Sequence, residues 1–343
     1  MNYTIDLVDP DFMDEQLLKK YLDLFNELQS ETYSDDPPRT YEQFVRYLRN
    51  VSDSEKVYRW LAVVKGNILG DACCFINKEG ENRHIAYVNI QVGKNYRQKG
   101  IGKALLQHVV EKIQNDGIEI IDFMTVNKPK AGSIFLHRMG AQIGQTNHIN
   151  QLEIADLDYT LMDNWITRGR QANRDFQLEF WKNEYPEDRI AAYVKLYNEF
   201  WNSVPMDELE YRWENISEKW LRDSLRAILA KGWEYWLLVA RNKVNSELAG
   251  FTTLIYTGYR RDLMNQDDTG VAERYRNRGL GRWLKAVMIK KLILEKPYIR
   301  IVRTENALSN GPMLRINQEM GFRNYLTEEI WQIRLQAIVD YLK

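Results

Sequence analysis

The chain has 343 residues, more than one ordinary hydrophobic core accommodates, so two domains are the default. Hydrophobic residues make up 44%, enough to build cores and exclude global disorder. The 47 Lys plus Arg against 48 Asp plus Glu leave a net charge of −1, without the basic excess of a dedicated nucleic-acid binder.

The opening run MNYTIDLVDPDF has neither a basic leader nor an apolar stretch, so no signal peptide is expected. No run approaches the roughly 18 apolar residues of a membrane span, and no membrane partner is expected. Tyr3, Ile5 and Leu7 alternate as on a half-buried strand, and a helix carrying Tyr21 to Leu28 follows, then a second helical stretch. Trp60–Val64 and the run around Ala72–Ile76 form a hairpin turned at Lys65-Gly66-Asn67. Within it Cys73 and Cys74 are adjacent, which prevents an unstrained disulfide, and neither is spaced from a His like a zinc ligand. They read as small apolar strand residues in a reducing, cytoplasmic compartment, and no metal is expected. A strand ending at Val92, a basic glycine-bearing loop and a helix from Gly102 to about Asn115 come next. The helix places Leu105, Leu106, Val109, Val110 and Ile113 on one stripe. A strand through Asn127, a short helix ending at Gly140 and a final strand complete the first stretch near Asn150.

The same series then recurs. YLDLFNEL from Tyr21 matches YVKLYNEF from Tyr193, and Phe176, Leu178 and Phe180 alternate before it as Tyr3, Ile5 and Leu7 do before the first. Trp60-Leu61-Ala62-Val63-Val64 matches Trp236-Leu237-Leu238-Val239-Ala240. Arg97-Gln98-Lys99-Gly100-Ile101-Gly102 matches Arg276-Asn277-Arg278-Gly279-Leu280-Gly281. Thr125-Val126-Asn127 matches Thr304-Glu305-Asn306, and Met139-Gly140 matches Met320-Gly321. Five matches in one order mean duplication of one domain. The expected division is 1–150, a connector 151–173, and 174–343. The connector is too apolar for a free linker and reads as a short strand and helix packed on one copy. Each copy mixes strands and helices in an α/β, α+β-like layered domain.

Each Arg-x-x-Gly-x-Gly loop joins a strand to a helix N-terminus, where the first N–H groups lack intrahelical partners and the dipole is positive. Such a turn suits a phosphate or pyrophosphate. Lys94, Arg97, Lys99 and Lys103 add positive charge in the first copy, as Arg274, Arg276, Arg278 and Arg282 do in the second. The plainer alternative is a helix cap with solvated cations. Neither loop has the Gly-x-x-x-x-Gly-Lys-[Ser/Thr] of a P-loop, and Leu105 and Leu284 occupy the third glycine position of a dinucleotide fingerprint.

This pattern, with its amphipathic helix, following strand and short helix ending in Gly-[Ala/Phe], resembles the GNAT superfamily of acetyl-CoA-dependent N-acetyltransferases over nearly the whole chain. The doubled layout is similar to tandem members such as mycothiol synthase. The resemblance implies two mostly antiparallel sheets flanked by helices, each with a splayed fourth and fifth strand. It implies acetyl-CoA as the cofactor and acetyl transfer to a primary amine of a small molecule by direct attack. Backbone groups of Gln98, Lys99, Gly100, Ile101, Gly102, Lys103 and Ala104 would hold the pyrophosphate in the first copy, after Arg97. Asn277, Arg278, Gly279, Leu280, Gly281, Arg282 and Trp283 would do so in the second, after Arg276. Val92 and Val271 would contact the pantetheine from the fourth strand, and Asn127 and Asn306 from the fifth.

Such enzymes often take their base from a carboxylate on the fourth strand. Asp267 and Asp268 stand there in the second copy, where the first has Val88 and Asn89, so the second copy is the expected catalytic one. Two turn aspartates at a strand entry are the alternative reading. The usual general acid is a Tyr four residues before the helix-ending Gly, but these positions hold Leu136 and Asn317. Asn317 could hydrogen-bond a leaving thiolate, and His137 is a neighbouring donor candidate. Aromatic residues Trp181, Tyr197, Trp201, Tyr211, Trp213, Trp220, Trp233, Tyr235 and Trp236 mark either an acceptor wall or core packing. Two further readings stay open: a non-catalytic acyl-CoA-binding or sensing protein, and a chain in which one copy is only a scaffold. A monomer or weak homo-oligomer is expected.

Overall fold

The computed structural model describes residues 2–212 and 214–343. The first series is β1 (Thr4–Val8), α1 (Glu15–Thr32), α2 (Tyr41–Arg49), β2 (Glu55–Val64), β3 (Asn67–Asn77), β4 (Ile85–Val92), α3 (Ile101–Ile113), β5 (Ile120–Val126), α4 (Ala131–Met139) and β6 (Gln142–Glu153). After α5 (Tyr159–Ala172) the order repeats as β7 (Phe176–Lys182), α6 (Ile190–Trp201), α7 (Glu218–Ala230), β8 (Glu234–Asn242) and β9 (Leu248–Tyr256). It continues through β10 (Leu263–Val271), α8 (Leu280–Glu295), β11 (Ile301–Ala307), α9 (Gly311–Met320), β12 (Arg323–Arg334) and the terminal α10 (Leu335–Leu342). Local chemistry accounts for the boundaries. Asp14 caps α1, Thr40 and Gln43 form a reciprocal capping box on α2, and Lys65 and Gly66 turn the β2–β3 hairpin with φ of 47° and 73°.

Two compact units result, and neither is one contiguous stretch. Unit one is Met1–Thr146, Met206–Arg212 and Glu328–Lys343; unit two is Asn147–Pro205 and Trp213–Thr327. The expected division at 150 and 174 is therefore crossed: β12 from Glu328 onward and α10 build unit one, while the connector and the end of β6 build unit two. A period-two pattern marks a strand and its faces but not its pairing partner.

The sheet of unit one runs β1-β2-β3-β4-β5-β12, antiparallel except for β4 with β5. That of unit two runs β7-β8-β9-β10-β11-β6, antiparallel except for β10 with β11. In unit one the parallel register covers only Ile85 to Tyr87 against Ile120 to Asp122, although β4 continues to Val92. In unit two it covers Leu263 to Gln266 against Ile301 to Thr304, although β10 continues to Val271. The parallel pair of each unit therefore splays, as the resemblance implies.

Helices cover both faces of each sheet. In unit two Trp236, Leu238 and Ala240 face the core beneath α5 and α8, while Tyr235, Leu237 and Val239 alternate into the core beneath α6 and α7. A strand covered on both faces reads as a continuous apolar run. In unit one α3 and α10 share a core with Trp331 and Ile333 of β12, and α1 and α2 cover the opposite face. The connector helix α5 packs on α8 so closely that a Cβ on Gly169 would lie 2.4 Å from that of Trp283.

Candidate active site

The glycine-bearing loops form open cradles of backbone donors. In unit one Gln98 and Gly100 have φ of 61° and 81°; in unit two Asn277 and Gly279 have 62° and 76°. Left-handed residues at alternating positions turn successive N–H groups toward one concavity. Gly100 and Gly279 begin α3 and α8, and no side chain caps either helix, in contrast to α1, α2, α5 and α7. A Cβ on Gly100 or Gly279 would meet nothing within 4 Å, so the space beside them is free. Uncapped donors, a positive dipole end and open space fit a pyrophosphate.

The basic side chains around the cradles have other partners. Arg97 reaches back to the Val92 carbonyl at 3.0 Å and makes a two-pronged pair with Glu31 at 2.8 and 3.0 Å. Arg276 does the same to Val271 at 3.1 Å and donates to Ser203 at 2.9 Å. Lys99 and Lys103 donate to the Asn95 and Tyr341 carbonyls. Arg278 pairs with Asp175, Arg282 with Glu319, and Arg274 with Glu199 and Glu247. These side chains brace the loops, and the cradles are lined by backbone N–H groups. Ile101, Leu280 and Trp283 are buried and anchor the first turns, and Gly102 and Gly281 keep those turns slim beside Val92 and Val271.

The units differ where the strands splay. β10 has nine residues where β4 has eight, and its register with β9 shifts between Gln266 and Thr269. The extra residue forms a β-bulge holding Asp267 and Asp268. Asp268 is half-buried and accepts from the Tyr197 hydroxyl at 3.0 Å; Asp267 reaches solvent and accepts from Thr253 at 3.4 Å. Loss of hydration in this recess, then the charge of Asp267, push the Asp268 carboxyl up to about 8, and loss of hydration also raises Asp267. The adjacent carboxylates titrate as a pair. In unit one the register of β3 with β4 is unbroken, Val88 is fully buried, and no carboxylate stands there.

At the usual acid position, Asn317 is buried and donates to Asn306 at 2.6 Å. Its oxygen accepts from Lys285 at 2.8 Å. Sequence reasoning missed Lys285. Its signal was a cation within the apolar stripe of α8, at the position Leu106 fills on α3. Leu136 is buried, His137 is exposed on α4, and Asn127 is exposed at the end of the unit-one chain of matches. Cys73 and Cys74 are buried on β3, and burial pushes both thiols up to about 12, consistent with strand residues and not nucleophiles.

The aromatic residues divide between packing and site. Trp181, Tyr235 and Trp236 are buried in cores, Trp233 is half-buried, and Tyr211 belongs to unit one, where it donates to Asp122. Trp213 lies outside the described residues. Tyr197 stacks on Trp201 with centroids 6.4 Å apart and tilts toward Trp220 at 6.5 Å, giving the Asp268 recess an aromatic flank.

The doubled sheet-and-helix domain with splayed parallel strands has counterparts among solved structures. Residues 18–141 match the family model described as acetyltransferase (GNAT) family. The chain carries that match within unit one. Its particular layout is the tandem one. A tandem GNAT protein from the clavulanic acid biosynthesis pathway aligns over 97% of this chain and 99% of its own, with TM-score 0.79 and 19% identity. A GCN5-related N-acetyltransferase from Sphaerobacter thermophilus aligns over 97% and 96%, with TM-score 0.68 and 13% identity. No curated protein matches the chain. Among the described residues no His, Cys, Asp and Glu cluster could hold a metal, and no helix is long and apolar enough to cross a membrane.

Proposed function

We propose that the chain transfers an acetyl group from acetyl-CoA to a primary amine of a small molecule, and that unit two is the working copy. The observation that carries this reading is the bulge in β10, which sets two carboxylates of raised basicity where the strands part and beside an open anion cradle. Unit one has the cradle without the carboxylates.

In this reading the N–H groups from Asn277 to Trp283 bind the pyrophosphate, and β10 near Thr269–Val271 orients the pantetheine arm. The bound co-substrate supplies the activated acyl group. The incoming amine must be neutral to attack the thioester carbon. Asp268, assisted by Asp267, takes the proton the amine loses, directly or through water. The C–S bond breaks as the amide forms, and the sulfur leaves as the thiolate of CoA. A thiol is more acidic than an amine, so this departure tolerates Asn317, a hydrogen-bond donor without an ionisable proton, in place of a Tyr. Tyr197, Trp201 and Trp220 form one side of the acceptor recess.

Turnover of a panel of primary amines by an Asp267→Asn, Asp268→Asn variant tests the assignment. A loss of 10²-fold or more in kcat is expected; undiminished turnover contradicts it. The second reading, a CoA-binding copy without turnover, fits unit one, because its cradle is open while Val88 and Leu136 replace every expected proton carrier.

A further inference from the structure

Lys285 is the least expected residue of unit two. It lies on α8 among core leucines and is 1% exposed. Its ammonium donates to Asn317 Oδ1 at 2.8 Å, and its other neighbours are the Met313 sulfur at 3.9 Å and the Phe322 ring at 5.7 Å. Among the described residues no carboxylate lies within 4.0 Å of it. A buried amine without a counter-ion is costly, and this burial pushes it down to about 7.

Unit one demonstrates that the fold does not require the pair. The matching residues are Leu106 and Leu136, 0% and 3% exposed. Two leucines fill the space there; in unit two a lysine and an asparagine fill it at an electrostatic cost.

What the pair adds is direction. An amide side chain can present either end, and its neighbours decide which. The Lys285 amine presents N–H donors whether or not it carries a charge, and Asn317 turns its oxygen toward it. The Asn317 amide nitrogen then faces Asn306 and donates to its oxygen at 2.6 Å. That leaves Asn306 with its own Nδ2–H group unspent. Asn306 is half-buried on β11, two residues beyond Thr304, where the parallel pairing with β10 ends.

We propose that Lys285 is a positioning residue for acetyl-CoA: acting through Asn317, it fixes the Asn306 amide so that its N–H group faces the gap between β10 and β11 and donates to a carbonyl of the pantetheine arm. This rests on unit two being the acetyl-CoA site. The consequence is selective. The interaction contributes to holding the arm and contributes nothing to the nucleotide end.

The test uses the full chain with the unit-one cradle blocked by Gly100→Glu and Gly102→Glu, so that only unit two is read. In this background Lys285→Met, and separately Lys285→Leu with Asn317→Leu, are titrated calorimetrically with acetyl-CoA and with adenosine 3′,5′-bisphosphate, which lacks the arm. The double leucine variant copies the packing of unit one and should keep its melting temperature. Both variants should bind acetyl-CoA about tenfold more weakly, as expected for one hydrogen bond, with affinity for the bisphosphate unchanged. Unchanged acetyl-CoA affinity, or equal weakening toward both ligands, overturns the proposal. Failure of the background chain to bind acetyl-CoA at all overturns the unit-two reading as well, so the two failures are distinct.

Discussion

Loss of hydration, and after it the charge of the adjacent Asp267, set the pH at which Asp268 can take a proton. The neighbouring charge raises Asp268, and the Tyr197 hydroxyl, which stabilises the ionised form, lowers it. Activity should therefore rise with pH as Asp268 ionises near 8. Asp267→Asn removes the repulsion and should move the rising limb of the kcat profile to lower pH; Tyr197→Phe should move it higher. Coincident profiles for all three proteins would contradict the assignment. Asp71 gives a separate stability prediction. Burial raises its carboxyl to about 6, against 3.8 when exposed, while the Tyr21 hydroxyl donates to it at 3.0 Å. The folded state holds this proton more tightly, so the contribution is fully present below pH 3.8 and is lost as pH rises through 6. Asp71→Asn keeps an acceptor for Tyr21 but cannot ionise. It should stabilise the protein by about 3 kcal/mol at pH 7 and by little at pH 3, as read by urea unfolding at the two values. Asp267 and Asp268, the proposed proton acceptors, stood out in the sequence because the other copy supplied the comparison. Lys285 and Asn317 could not be read as a pair, since their contact joins α8 to α9 across a sequence separation of 32.

At the scale of elements, the repeat and the period of each segment identified the strands and helices, and the cradle followed from glycine at a strand-to-helix turn. The bulge was less visible: one extra residue shifts a register but leaves composition unchanged. The destination of β12 was invisible, because alternation says which face of a strand is buried and not which edge receives it. Trp331 tests that destination. It is 5% exposed in the core of unit one, and its indole donates to Thr125 of β5 at 2.8 Å. Trp331→Ala should cost about 3–5 kcal/mol. Hydrogen exchange should accelerate in β5 more than in β11, whose partners are β10 and β6. The reverse order would place β12 with the wrong sheet.

At the scale of the whole chain, both copies keep an open backbone cradle, while one copy alone carries the carboxylates and the Lys285–Asn317–Asn306 chain. The acceptor was not legible, because the recess we propose for it beside Asp268 is assembled from α6, α7 and the bulge, whose relative placement no local pattern specifies. Calorimetric titration of acetyl-CoA into the unmodified chain and into Gly279→Glu with Gly281→Glu tests the central claim most directly. The two substitutions put bulk and negative charge into the open space of the unit-two cradle. The account predicts that the variant loses one binding site. A variant that binds as many acetyl-CoA molecules with the same affinity, or an unmodified chain that binds none, would contradict it.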